Sequence, residues 1–444
     1  FTESKKKGLT TYTFTVNNLP ASRSYEDAPD NSYYATQVIF YIDQVEENGT
    51  WKNFLSTVGD LYRYNYEFIR KTNESVSDEL KQLTDSLVRG ASTEREKARR
   101  IYRWVQTHIK YVAFEEGMEG FVPREASLVC SRRFGDCKDM ASILTAMLRH
   151  AGLNAYFTWI GSRNLPYRYT ETPLPIVDNH MICTVKLGEE YVFLDGTDES
   201  CLFGMPASGI QGKEALLAIS EKEYKLLEVP VPKKEVNRYT DSTFLRFTDK
   251  GLAGTLRVCL TGYHASRLQS ALNYRNEKER EEYLKRRFWR GTNKATYSDW
   301  KVTPSATGDE VVVTADLELP DYGKKLGEEW ILNLNLFKLY EHQEIDFPKR
   351  KSPIEHPFLE ASSFVTVLQV PAGFKVSYLP KSQQFQNNVW GFNLAYQNSS
   401  DRILLTQEFS TNTLLMQPDQ FEAWNKVLEN LFPHYKQSIV LSKN

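Results

Sequence analysis

The sequence is short of the features that would place a protein quickly. Its five cysteines (Cys130, Cys137, Cys183, Cys201, Cys259) are odd in number, and no two form a C-x-x-C pair. That argues against a zinc ribbon or a dense disulfide framework and leaves a single reactive thiol as the cysteine chemistry to weigh. No run approaches the ~18–20 consecutive apolar residues a membrane-spanning helix needs, so no transmembrane segment is expected. Neither sign of charge dominates: 55 Lys and Arg stand against 57 Asp and Glu, a formal net charge of −2. A dedicated nucleic-acid or anionic-membrane binder would carry a basic excess, and no nucleic-acid partner is expected. There is no initiator Met and no signal-peptide pattern. Phe1 to Lys7 runs straight into the strand-like TTYTFTV, so the sequence reads as a fragment of a longer chain. Short repeats and low-complexity tracts are absent.

What is present is ordinary for a folded chain of several domains. With 444 residues, two to four cores are expected, and 41% hydrophobic with 25% charged residues is globular composition. The 25 Tyr and 24 Phe, among many Val and Thr, favour strands. Residues 10–70 read as β-rich, notably Thr11–Val16 and Tyr33–Tyr41. From Ser77 to Ile109 the spacing turns helical: Leu80, Leu83, Leu87 and Val88 fit one helix. Thr93 with Glu96 then forms a capping box before Ala98, Ile101, Tyr102, Val105 and Ile109. Tyr111–Pro123 is expected as a loop. A third helix opens at Cys137, with Met140, Ile143, Leu144, Met147 and Leu148 on one face and Gly152 as its stop. Ala155–Ile160, Met181–Leu187 and Tyr191–Leu194 read as strands, with Arg163–Asp178 as a long surface loop of the kind that shapes a cleft. Val229–Asn237 is the clearest linker. Beyond it, strands are expected at Thr243–Phe247, Gly254–Leu260, Glu310–Leu317 and Ser363–Val370, a polar helix near Asn276–Trp289, and a final amphipathic helix from Pro418.

The chemistry concentrates at Arg133–Asp139, RFGDCKD. A helix N-terminus presents unpaired N–H groups and partial positive charge, which stabilise the nucleophilic thiolate of a Cys in its first turn. Gly135 would leave room for substrate, and the Cys137 amide is placed to donate to an oxyanion. The alternative is a small buried apolar residue, against which the flanking Asp136, Lys138 and Asp139 speak. A nucleophile needs a base, and the base an orienting group. His180 opens one strand and Asp195 closes the next, so two antiparallel strands would bring them to one end of a sheet, where the carboxylate can hold the imidazole. Taken singly, a structural His and a turn-forming Asp-Gly are the plainer readings.

Residues from about Glu79 to Lys213 resemble the transglutaminase-like superfamily. The resemblance rests on Ile109-Lys110-Tyr111, RFGDCKDMASILTAML from Arg133 to Leu148, Asn179-His180 and Leu194-Asp195-Gly196-Thr197. It implies a papain-like α+β fold, with Cys137 as nucleophile, His180 as base and acid, and Asp195 as orienter. The flanks resemble two uncharacterised β domains that bracket such cores in Gram-negative bacteria, notably Bacteroidetes. Phe347–Pro353, Val370–Val376 and Tyr378-Leu379-Pro380 carry that likeness. The implied division is an N-terminal β-rich domain (1–72, partial), a core (73–232) and a C-terminal β-sandwich-like region (233–444), divided near 350 or not. The implied activity is acyl transfer on a peptide or carboxamide bond, hydrolysis favoured over crosslinking, with no cofactor or metal and a peptide or protein substrate. A silent scaffold whose β domains bind a cell-surface polymer or protein is the alternative; a thiol buried under a loop or flanking domain would favour it. Periplasmic or cell-envelope localisation is implied by the resemblance alone.

The remaining candidates read as structural. Cys130, Cys183 and Cys201 are expected to pack, and His108 and His150 lack a second ligand at metal spacing. Lys285-Arg286-Arg287 is balanced by Glu277, Glu279, Glu281 and Glu282 on a solvated helix face. Tyr111 would line the cleft, assist the oxyanion or pack in the core.

Overall fold

The computed structural model describes residues 1–19, 25–113, 116–346, 348–399 and 401–444, so Phe347 and parts of the expected N-terminal β region and of the Tyr111–Pro123 loop lie outside the described residues. Two solvent-exposed hairpins come first, β1 (Thr2–Lys6) with β2 (Leu9–Thr13) and β3 (Gln44–Glu47) with β4 (Thr50–Asn53). Tyr33–Tyr41, expected as a strand, is not one. Asp30 accepts the Ser32 N–H and starts a 3-10 turn at Asn31–Tyr33, and among the described residues no strand pairs with Tyr34–Tyr41. β-propensity counts only where a partner edge takes up the backbone. The expectation of β-structure through residue 70 also misses α1 (Val58–Ile69). Thr57 caps α1 by accepting the Asp60 N–H, and Leu61, Tyr62 and Ile69 are buried in one apolar cluster with Phe157, Trp159 and Leu216 of the following core.

Two expected helices follow, α2 (Asp78–Val88) and α3 (Glu94–His108). Thr93 accepts the Glu96 N–H as expected, but the Glu96 carboxylate takes the N–H of Ser92 rather than that of Thr93, so only half of the capping box forms. A two-residue strand β5 (Lys110–Tyr111), the unexpected short helix α4 (Ala126–Arg132) and β6 (Phe134–Gly135) lead into α5 (Cys137–His150). Met140, Ile143, Leu144, Met147 and Leu148 of α5 are each no more than 1% exposed. At about 1.5–3 kcal/mol per buried side chain, that face alone fixes the helix on the sheet.

The sheet consists of β7 (Asn154–Ile160), β8 (His180–Leu187), β9 (Glu190–Leu194), β10 (Glu214–Ser220) and β11 (Glu223–Glu228), in the antiparallel order β11-β10-β7-β8-β9. Alternation sends Ala155, Phe157 and Trp159 to the face that α5 and α1 cover, and Ile160 to the other. Arg163–Asp178 contains no regular element, as expected of a loop.

Residues from Arg238 onward form an eight-stranded sheet. From edge to edge its strands are Thr296–Pro304, Glu310–Pro320, Gly251–Thr261, Arg238–Thr248, Glu360–Gln369, Arg402–Thr411, Trp390–Asn398 and Gln383–Gln386. Strands from both sides of residue 350 meet in the parallel pair Arg238–Thr248 with Glu360–Gln369, and one apolar core runs from Tyr239 to Leu441. The sheet is therefore not divided near 350. Facing it across that core are α6 (Tyr263–Asn273), α7 (Glu277–Arg287), α8 (Phe421–Tyr435) and the four-stranded sheet holding Glu329–Leu332 and Ile439–Lys443. The layer opposite is thus part helix, not a pure sandwich. Among the described residues no helix is long and apolar enough to cross a membrane.

Candidate active site

Cys137 occupies the first position of α5, where its amide has no carbonyl within the helix to meet. Asp136 is the N-cap: its carboxylate accepts the Lys138 and Asp139 N–H groups, while Asp139 returns the bond to the Asp136 N–H at 3.0 Å. Burial corrects the expectation that flanking charges keep this turn at the surface. Asp136 and Asp139 are 0% exposed, Cys137 5% and Lys138 6%. The reason is compensation. The Lys138 Nζ lies 2.8 Å from Asp136, and Arg124, folded over the turn, binds Asp139 with both its backbone N–H (2.9 Å) and its guanidinium, whose other arm takes Glu119. A buried charge that is paired and hydrogen-bonded is tolerated where an isolated one is not. Burial still pushes the Asp136 carboxyl up, against the pull of Lys138.

Gly135 does not make room for substrate, as the sequence suggested. A Cβ there would meet the Asp139 Cβ at 2.4 Å, so the glycine exists to let the Asp139 side chain close the cap. Before it, Arg133 takes a left-handed conformation that ends α4, and β5 and β6 pair in parallel, Tyr111 beside Gly135. Tyr111 is 42% exposed, which rules out a core role, and its strand partner Gly135 lies two residues before Cys137 in the chain.

His180 and Asp195 meet at the same end of the sheet. The His180 Nε2 donates to the Asp195 Oδ2 at 2.9 Å, and the other ring nitrogen is left for Cys137, whose interaction with the imidazole is also felt in its titration. Burial opposes charge on His180, but the Asp195 carboxylate and then the Cys137 sulfur outweigh it and raise its pKa to about 10. Burial likewise opposes charge on Asp195, yet His180 and Thr197 hold its carboxyl below the usual range. Each oxygen of Asp195 has a partner. Thr197 gives its N–H (3.0 Å) and hydroxyl (2.7 Å) to Oδ1, and the buried Tyr102 hydroxyl of α3 donates to the Asp195 backbone carbonyl at 2.7 Å. Thr197 and Tyr102 had no assigned role in the sequence. The Asp-x-Thr spacing was the available sign, because a Thr two residues on can close an Asx-type turn. Tyr102 gave none.

Cys130, Cys183 and Cys201 are free thiols within or against apolar clusters, His150 pairs with Asp85, and His108 stacks on Trp104. No group of three metal-ligating side chains occurs among the described residues. The basic run of α7 lies on an exposed helix in which Lys285 pairs with Glu281 and only Leu284 is buried.

An α+β core with a helix-borne Cys facing a sheet-borne His and Asp, set beside a β-rich region, defines the class. Residues 81–195 match the transglutaminase-like superfamily, and residues 328–441 match a domain of unknown function with solved structure, DUF3858. A "putative protease" from Parabacteroides distasonis has a similar fold over 99% of this chain and 67% of its own, with TM-score 0.56 and 10% identity. A "putative cysteine protease" from Cytophaga hutchinsonii is 18% identical over 27% of this chain and 37% of its own, with a TM-score of 0.22 from which nothing about the fold follows. No curated protein matches.

Proposed function

We propose that the chain is a cysteine-dependent acyl-transfer enzyme that hydrolyses peptide or carboxamide bonds, with Cys137 as nucleophile, His180 as acid and base, and Asp195 as orienter. The observation that carries this is His180 held between the Asp195 carboxylate and the Cys137 sulfur at the start of α5. The cationic imidazole favours the thiolate. The thiolate attacks the carbonyl carbon, and the oxyanion meets the Cys137 amide. His180 passes its proton to the departing amine as the C–N bond breaks, leaving a thioester. His180 then takes a proton from water, whose oxygen displaces the sulfur and releases the carboxylic acid. Water rather than an amine is taken as acceptor from the resemblance to bacterial members, and the solved structure with a similar fold is named a "putative protease". A periplasmic or envelope location belongs to the same proposal, and fractionation of the full-length protein tests it.

The pH dependence of iodoacetamide labelling at Cys137, in the parent and in His180→Ala, decides the matter. Labelling that persists well below the ~8.5 pKa of an ordinary thiol and moves up without His180 supports the pair. A second reading, a silent scaffold for the β regions, draws on one observation: Cys137 is only 5% exposed. A thiol inert to iodoacetamide in the folded chain and indifferent to His180 would favour it.

A further inference from the structure

We infer that Arg163 is a positioning residue for His180, through which the C-terminal β region holds the imidazole in register with Cys137. The inference rests on the His180 role proposed above. Arg163 begins the long loop that leaves β7 and returns as β8 at His180. The two ends of the loop form a closed neck. Ile160 pairs with His180 across the strands. Ser162 donates its N–H to the Asn179 Oδ1 at 2.9 Å, and the Asn179 amide donates to the Ser162 hydroxyl at 3.1 Å. Between them, Gly161 lies so close that a Cβ would stand 2.4 Å from the Val177 carbonyl oxygen. Residues 160–162, which lead directly into Arg163, are therefore tied to residues 177–180.

The Arg163 side chain leaves the core altogether. It is 8% exposed and donates to the carbonyls of His356 (3.0 Å), Pro357 (3.1 Å) and Leu414 (3.3 Å), with Glu355 as its ionic partner at 2.9 Å. Its backbone is fixed as well: its N–H donates to the Gly209 carbonyl at 2.6 Å, and its own carbonyl accepts the Tyr33 hydroxyl at 2.5 Å. A planar guanidinium satisfied by three carbonyls and a carboxylate holds one orientation, which a flexible ammonium would not. If its purpose were adhesion between the two regions, other contacts already supply that, among them Gln211 to the Pro357 carbonyl and the Tyr263 hydroxyl to the Pro206 carbonyl. Arg163 differs from these in sitting at the neck of the His180 loop.

The test compares full-length Arg163→Met, Arg163→Lys and Tyr263→Phe with the parent. Three readouts are followed: thermal midpoint, His180 titration by NMR of ¹³C-labelled histidine (assigned with His180→Gln), and the pH profile of iodoacetamide labelling. Arg163→Met is expected to lower the His180 midpoint by about one unit or more and to slow labelling near neutral pH by about tenfold to a hundredfold. Arg163→Lys should fall between Arg163→Met and the parent. Tyr263→Phe should lower the thermal midpoint while leaving both site readouts in place. Arg163 variants that melt earlier but keep the parental His180 titration would overturn the inference, as would equal site effects from Tyr263→Phe. An inert Cys137 with a His180 titration that still answers to Arg163 would sustain the positioning role and refute the enzyme. Should Arg163→Met not fold, Arg163→Lys with Glu355→Gln carries the same comparison.

Discussion

Replacing Asp195 by Asn removes the charge that keeps His180 protonated while preserving the shape of the side chain. Its size can be worked out from the environment of the imidazole. With Asp195 neutral, burial becomes the dominant influence on His180 and only the Cys137 sulfur opposes it, so the pKa falls from about 10 to below its ordinary 6.5. At about 1.4 kcal/mol per unit, that is on the order of 5 kcal/mol, at the upper end of the about 3–5 kcal/mol for removing one partner of a buried pair. The pH window follows from the signs. His180 is raised in the fold, so its contribution is full below pH 6.5 and fades as pH climbs through about 10. Asp195 is lowered, so the same interaction seen from its side is full above 3.8 and fades as pH falls through its folded value. The stability gap between parent and Asp195→Asn should therefore be widest from about pH 4 to 6.5 and nearly closed by pH 10. Thermal melts across pH measure the gap, and histidine NMR measures the midpoint directly. A variant whose His180 still titrates near the parental value, or a gap as large at pH 10 as at pH 6, would refute the reasoning.

Three further outcomes follow from the same geometry. Gly135→Ala should lower stability by about 1–3 kcal/mol, because its Cβ collides with Asp139; a denaturant melt equal to the parent's would contradict that role. Arg124→Ala leaves the 0%-exposed Asp139 without its ionic partner and should cost about 3–5 kcal/mol, read from calorimetry; a cost below 1 kcal/mol would mean that solvent reaches the Asp139 carboxylate. Thr197→Val removes the hydroxyl donor to Asp195 but keeps the N–H donor, for a loss of about 1 kcal/mol and a measurable fall in the His180 midpoint. If that midpoint does not move, the hydroxyl is not part of what holds the carboxylate.

Some of this protein was legible before any coordinates. α5 could be read because an apolar stripe from Met140 to Leu148 has only one way to be buried, and Cys137 falls at its start wherever the helix packs. His180 and Asp195 could be paired because two antiparallel strands joined by a short turn bring the start of one and the close of the next to the same end of the sheet, where Leu194 pairs with Cys183. The helix beginning at Ser77 was marked by its apolar period, and those beginning at Thr93 and Pro418 also by a capping residue and a helix-starting proline. The strand expected at Tyr33–Tyr41 failed because composition alone cannot supply a partner edge. α1 was missed because its aromatic residues resemble those of a strand when no sheet is in view to bury them.

What the sequence determined by itself is local: where helices begin, which face is apolar, and which three side chains have chemistry that fits together. Only the tertiary structure decided how deeply that chemistry is buried and what holds it. Asp136, Lys138 and Asp139 look like a solvated turn until Arg124 and Glu119 arrive to neutralise it, and Gly135 looks like space until Asp139 fills it. Arg163 looks like a loop cation until the carbonyls of His356, Pro357 and Leu414, far along the chain, converge on it. The physical reason is common to all three. Helical period and capping act between neighbours in sequence, whereas desolvation and its compensation depend on groups that meet only when the chain has folded.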